Sequence, residues 1–220
     1  MTSETTPSTQ HLRVPVWRRP FRLIGENRRA YLLINAAAYG LGLLGFALGL
    51  AFPELVAART TAMVDDGTAD LVTRLVNFPP LFAVTILAVN VLRLSLLTIV
   101  LPSLIIPFAG LVLFGYWSVQ TGITLAPTDA AGWVALIPHA LTILIEFQAY
   151  ILLALGAYRL GAHWLFPHSS GAPTRRQGYL RGLRETGLLA LPALMLLVIG
   201  ALWEAYSLRY LVHPLNQMLL

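Results

Sequence analysis

The sequence predicts an all-α membrane protein: a bundle of about five transmembrane helices with its N-terminus in the cytoplasm. Three observations carry this. First, 57% of the 220 residues are hydrophobic, only 11% are charged and the mean hydropathy is +0.70, whereas a soluble domain carries about 25% charged residues. Second, the apolar stretches suffice for about five crossings at about 20 residues each. Third, the Arg residues cluster in two segments that five crossings place on one side of the membrane.

Composition removes several classes of chemistry. There is no Cys, so disulfides, thiolate metal sites and Cys nucleophiles are excluded. All fifteen basic residues are Arg, which reads as coding bias. The formal charge of +5 bears on topology more than on nucleic-acid binding, and no nucleic-acid partner is expected. No Walker A motif occurs, and no cofactor is expected. The N-terminus shows no cleavable signal pattern.

Taken in order, residues 1–12 are polar and rich in Ser and Thr, a composition that favours disorder. Residues 13–29 carry Arg13, Arg18, Arg19, Arg22, Arg28 and Arg29, with Trp17, Phe21 and Ile24 between them at helical spacing. This fits a basic helix on an anionic membrane surface; a plain juxtamembrane cluster explains the charges equally well. Together, 1–29 form a polar tail and basic juxtamembrane segment, and 30–220 a single transmembrane domain. The first span is predicted from about Tyr31 to Phe52. Gly45 and Gly49 give it a small-residue face, compatible with a homodimer. Residues 53–79 are net acidic. The spacing of Met63, Leu71, Leu75 and Val76 suggests an interfacial helix, and Asp65, Asp66 and Asp70 could hold a cation, but a solvated polar loop is preferred.

Residues 80–120 are too long for one span. Pro102 and Pro107 are expected to divide them into helices from about Leu81 to Leu101 and Ser103 to Gln120. A loop at 121–132 precedes the fourth span, Trp133 to Trp164. A loop at 165–183 bears Arg175, Arg176 and Arg181, and the last span runs from about Arg184 to Leu208. Five spans put both basic clusters inside; a single span over 80–120 would put the second outside.

Three charges within the spans stand out: Arg93, Glu146 and Glu204. A charge near the bilayer centre costs roughly 2.5 kcal/mol or more, so each needs a partner, a proton or water. At about 1.5 Å per residue, Arg93 lies roughly 18 Å and Glu146 roughly 20 Å below the outer surface. The two are therefore expected to pair, within a buried network that includes Asn90. His139 and Glu146, seven apart, share a helical face that Tyr150 continues; Gln148 is a weaker addition. Arg159, near the cytoplasmic end, can snorkel. His139, Glu146 and Glu204 are candidate catalytic or proton-carrying groups of an outward-opening cavity; the alternative is that they only fix the bundle geometry. One His and two Glu without zinc-type spacing give no metal site.

The run EFQAYILLALGAYRLG at 146–161, continuing to Pro167, resembles the signature helix of the stage II sporulation protein M family. Glu26-Asn27-Arg28-Arg29 with a Gly-rich first span ending at Pro53-Glu54 is similar to that family's opening. Asn90 matches its second-span Asn, and Ala201 to Tyr206 looks like its final Ala-x-x-Glu-Ala segment. One departure is clear: the family's His stands about a turn before the Glu, and here Thr142 holds that place while His139 lies a turn higher. The resemblance implies a multi-pass protein of the bacterial plasma membrane that works with partners. In sporulation these are peptidoglycan-degrading enzymes; in circular bacteriocin maturation and export they are ATP-binding-cassette components.

The leading expectation is thus a non-catalytic membrane component of a multi-protein assembly, in envelope remodelling or peptide maturation and export. The alternative is a membrane-embedded enzyme, or a proton- or ion-coupled carrier, acting on a membrane-bound peptide or lipid through His139, Glu146 and Glu204.

Overall fold

The computed structural model describes residues 15–220; the tail 1–12 and Arg13 lie outside the described residues. No strand occurs among those described, so helix packing alone decides the fold. A 3₁₀ turn, Val16–Arg18, leads into α1 (Arg19–Glu26). Its Leu23 enters the core, while Trp17 and Phe21 stay exposed, the pattern of a basic helix docked on a bundle with aromatics left for lipid.

α2 (Arg28–Ala51) is apolar on every side and buries little. A helix apolar all round either lies in a core or faces lipid, and the low burial assigns α2 to lipid. α3 (Pro53–Asp65) and α4 (Thr68–Leu75) form a helical hairpin where the apolar spacing suggests one interfacial helix and the acidic residues a solvated loop. Val56 of α3 packs with Ile123 and Ala126, and Leu75 and Val76 pack on Phe82, Ala83 and Ala205. The three acids do not converge: Asp70 pairs with Arg74 at 2.7 Å, and Asp66 accepts from the Thr68 N–H. Hydrogen bonds from Thr68, helped by the positive charges of Arg93 and Arg59, hold the Asp66 carboxyl below the usual carboxylate range.

α5 (Pro79–Ile105) does not break at Pro102. Its stretch Asn90–Val100 is a π-helix, whose wider turn leaves room for a ring that an α turn would press against the carbonyl four residues back. Ser95 and Thr98 donate their hydroxyls to the carbonyls of Asn90 and Arg93, five residues earlier, at 2.8 and 2.9 Å. The chain turns instead at Pro107–Phe108, where Phe108 adopts φ 67°. That left-handed backbone is uncommon for a bulky residue, and packing holds it: the Phe108 ring lies against Gly161 and 6.0 Å from the Tyr158 ring.

α6 (Ala109–Leu125) follows. Four helices are long and apolar enough to cross a membrane: α2, α5, α7 (Ala130–Leu165) and α8 (Arg175–Tyr210). α6 has 17 residues, or about 26 Å, at the short end for a span. It nevertheless runs parallel to α2: Leu41 meets Gly115, Gly45 meets Val119 and Gly49 meets Ile123. With it the bundle has about five crossings. The glycine face of α2 is therefore used inside the fold and is not free for a homodimer. A Cβ at Gly45 would strike the Val119 carbonyl, and one at Gly122 the Gly42 carbonyl.

α7 is the central helix. From Phe147 to Ala157 all its residues are buried except Gln148, since neighbours surround an apolar run that has no polar face. Asp129 caps its start by accepting from the Gly132 N–H at 2.7 Å. α8 starts well before the expected Arg184, at a cap formed by Thr174. α9 (Val212–Leu219) follows. Both basic clusters end at the same end of the bundle, as the charge asymmetry requires: Asn27 meets Arg159, and Arg181 meets Glu185.

Candidate functional site: a carboxylate cavity in the outer half

His139, Glu146 and Glu204 meet at one cavity of about 260 Å³, enclosed by α4, α5, α6, α7 and α8. α7 supplies His139, Thr142 and Glu146 from one face, as helical spacing requires. α8 supplies Glu204, α5 supplies Asn90, and Thr68, Leu71 and Val72 of α4 cover one side. The His139 Nδ1 stands 4.0 Å from a Glu204 oxygen, with the two side chains 27% and 19% exposed; both are accessible from the cavity.

Glu146 does not pair with Arg93. Its partner is Asn90, whose Nδ2 donates to Oε1 at 2.6 Å. Depth counting fixed the height of Arg93 but not its direction. In an α-helix residues three apart share a face; the π stretch begins at Asn90, and its wider turn swings Arg93 away. Arg93 is exposed and lines a separate groove of about 480 Å³ with Arg59, Thr98, Tyr116 and Gln120. Asn90 and Trp117 form part of both walls.

The backbone of α8 also shapes the Glu146 position. At Gly200 a Cβ would lie 2.9 Å from the Glu146 Cγ, so only glycine lets the carboxylate stem sit there unshifted. Beneath it, the buried Tyr150 hydroxyl approaches Glu146 but closes no hydrogen bond of good geometry, and the Thr142 hydroxyl is likewise unpartnered. Trp203 donates to the Pro138 carbonyl at 2.9 Å, tying the Pro-bearing turn of α7 to α8 above the cavity.

Gln148 faces the opposite way. It accepts from the Tyr31 hydroxyl at 2.6 Å and donates to Asn35 and Tyr39, joining α7 to α2.

Sequence reasoning missed a second polar cluster at the inner end. Arg159 makes two hydrogen bonds to Glu185, at 2.8 and 3.2 Å, and a third to Asn27 at 2.7 Å. His163 Nε2 lies 3.0 Å from the Glu185 Oε2 that Arg159 Nε also meets, and Arg181 adds a contact to Oε1 at 3.5 Å. Arg159 is thus not a snorkelling residue but is held by ion pairing. The signal was present: Arg159 and His163 are four apart, as are Arg181 and Glu185, so each pair shares a helical face.

Compared with protein-family models, with characterised proteins and with solved structures, the chain matches none.

Proposed function

We propose that the protein is an integral membrane component of a multi-protein assembly, in envelope remodelling or in peptide maturation and export, and that its outer cavity receives a cationic group of a partner or peptide. One observation carries this reading. Glu146 and Glu204 line a single cavity whose lining contains no Arg, and His139 is the only side chain there able to carry positive charge. Two carboxylates in a low-dielectric space are ionised together only with compensating positive charge, and are otherwise protonated; His139 can supply one charge at most. A peptide amine or a basic side chain supplies the rest. The family resemblance of α7 supports the setting, a membrane subunit working beside partners.

The test is a photo-crosslinking residue at Thr85 or Ile143, both in the cavity wall, activated in native membranes. The expected product is a peptide or partner segment bearing Lys, Arg or a free amine, and Glu204→Gln should reduce its yield. Capture of neutral or acidic segments only, by a protein that is folded and present, would overturn the proposal.

The pairing of His139 with Glu204 favours a second reading, a proton- or ion-coupled carrier. The two part at Glu146→Gln, which keeps shape and hydrogen bonding. A subunit that only holds a partner shows no transport in liposomes as wild type and loses partner capture with the substitution, whereas a carrier transports as wild type and loses that transport with it.

A further inference from the structure

The inner cluster borders a cleft of about 550 Å³, larger than the outer cavity and unrelated to its chemistry. Arg28, Arg29, Arg159 and Arg181 line it, against the single carboxylate Glu26. Glu26 already pairs with Arg22 at 3.3 Å. Glu185, behind the cleft, offsets Arg159 and Arg181 only in part, and Arg28 and Arg29 make no ion pair among the described residues. The charge balance is positive. His163 also lines the cleft; its side chain is 4% exposed, and while Nε2 meets Glu185, Nδ1 has no hydrogen-bond partner. The floor is built rather than fluid, because Arg159 is fixed on three sides by Glu185 and Asn27.

We infer that this cleft binds the phosphate of an anionic phospholipid from the cytoplasmic leaflet. Arg28 and Arg29 are the first residues of the α2 span, which sets them at headgroup level. Trp17 of the 3₁₀ turn and Phe21 of α1, 63% and 65% exposed, precede the α1 residues that line the cleft, where acyl chains would cover them. Arg presents planar donors matched to phosphate oxygens, and basic pockets between helices on this side of a membrane suit anionic headgroups. The site does not depend on the function proposed for the outer cavity.

The full-length protein, purified in a mild detergent, is offered mixed micelles of phosphatidylglycerol or phosphatidylcholine, and retained lipid is read by native mass spectrometry. Wild type should retain phosphatidylglycerol selectively. The Arg28→Gln/Arg29→Gln double variant should lose that selectivity by roughly thirtyfold, given the worth of each basic residue at a membrane surface. The Arg175→Gln/Arg176→Gln variant removes the same charge from the same end but outside the cleft, and should retain it. Equal losses in the two variants would show general surface attraction and overturn the site, as would no loss in either. Inorganic phosphate and glycerol phosphate form a further arm. If either displaces the lipid at equal concentration, the ligand is a soluble phosphate and the lipid assignment falls. Monodisperse elution of each variant with a wild-type melting profile establishes that folding is not at issue.

Discussion

Removing the amide of Asn90 is expected to cost more than removing the guanidinium of Arg93. Asn90→Leu strips the Glu146 carboxyl of its donor, and leaving a buried acceptor unsatisfied costs about 1–3 kcal/mol. Arg93→Gln removes no ion pair with Glu146, so its melting temperature in detergent should stay near that of wild type. Exchanging the charges, Arg93→Glu with Glu146→Arg, should give no recovery over the single Glu146 change. At the inner end, Arg159→Met leaves Glu185 partly compensated by His163 and Arg181. Breaking a buried pair costs about 3–5 kcal/mol, and the remaining partners argue for the lower end; thermal unfolding followed by size-exclusion chromatography measures it. The sequence allowed Glu146, His139 and Glu204 to be grouped because two lie on one α-helical face and heights follow from residue counts. Azimuth is another matter: a π-helix has no compositional mark, so nothing in the chain announced that Arg93 would turn away. Glu185 does not stand out in the sequence because the Pro-, Gly- and Ser-containing stretch at 165–183 reads as a loop and sets it at a helix entrance, whereas α8 starts at Arg175 and holds it more than two turns inside.

At the scale of helices, the fold depends on a few places where backbone meets backbone. Gly122→Leu should drive α6 from α2, since a Cβ there already meets the Gly42 carbonyl and the Phe46 nitrogen. Gly40→Leu on α2 should be tolerated, because nothing stands within 4 Å of its added Cβ. Overpacking of this kind costs about 1–3 kcal/mol, and the contrast between the two substitutions in detergent melting separates packing from composition. The glycines were visible in the sequence, but their partner was not: a small-residue face serves an intramolecular neighbour as readily as a second copy. Pro102 misled for a related reason. A proline ends a helix only where the ring has no room, and the π-turn before it provides that room.

The whole molecule was the most legible level. Charge asymmetry gave five crossings although α6 is short, and a labelling experiment checks that count directly. The chain has no Cys, so single Cys substitutions report without background. Thr73→Cys and Asp129→Cys in membranes should react with an impermeant maleimide from outside, and His168→Cys and Thr174→Cys should not. With four crossings the last two positions would be outside and would react. α1 is docked on the bundle core through Leu23, and the Asn27–Arg159 bond ties the start of α2 to the same core. Asn27 joins the start of the chain to α7, and α7 continues unbroken from Arg159 to Glu146 with no proline between them, a distance of about 20 Å. A pull on the N-terminal segment is therefore a pull on the rod that carries Glu146, and whatever grips the protein at that end has a mechanical handle on the carboxylate cavity in the opposite half of the bundle.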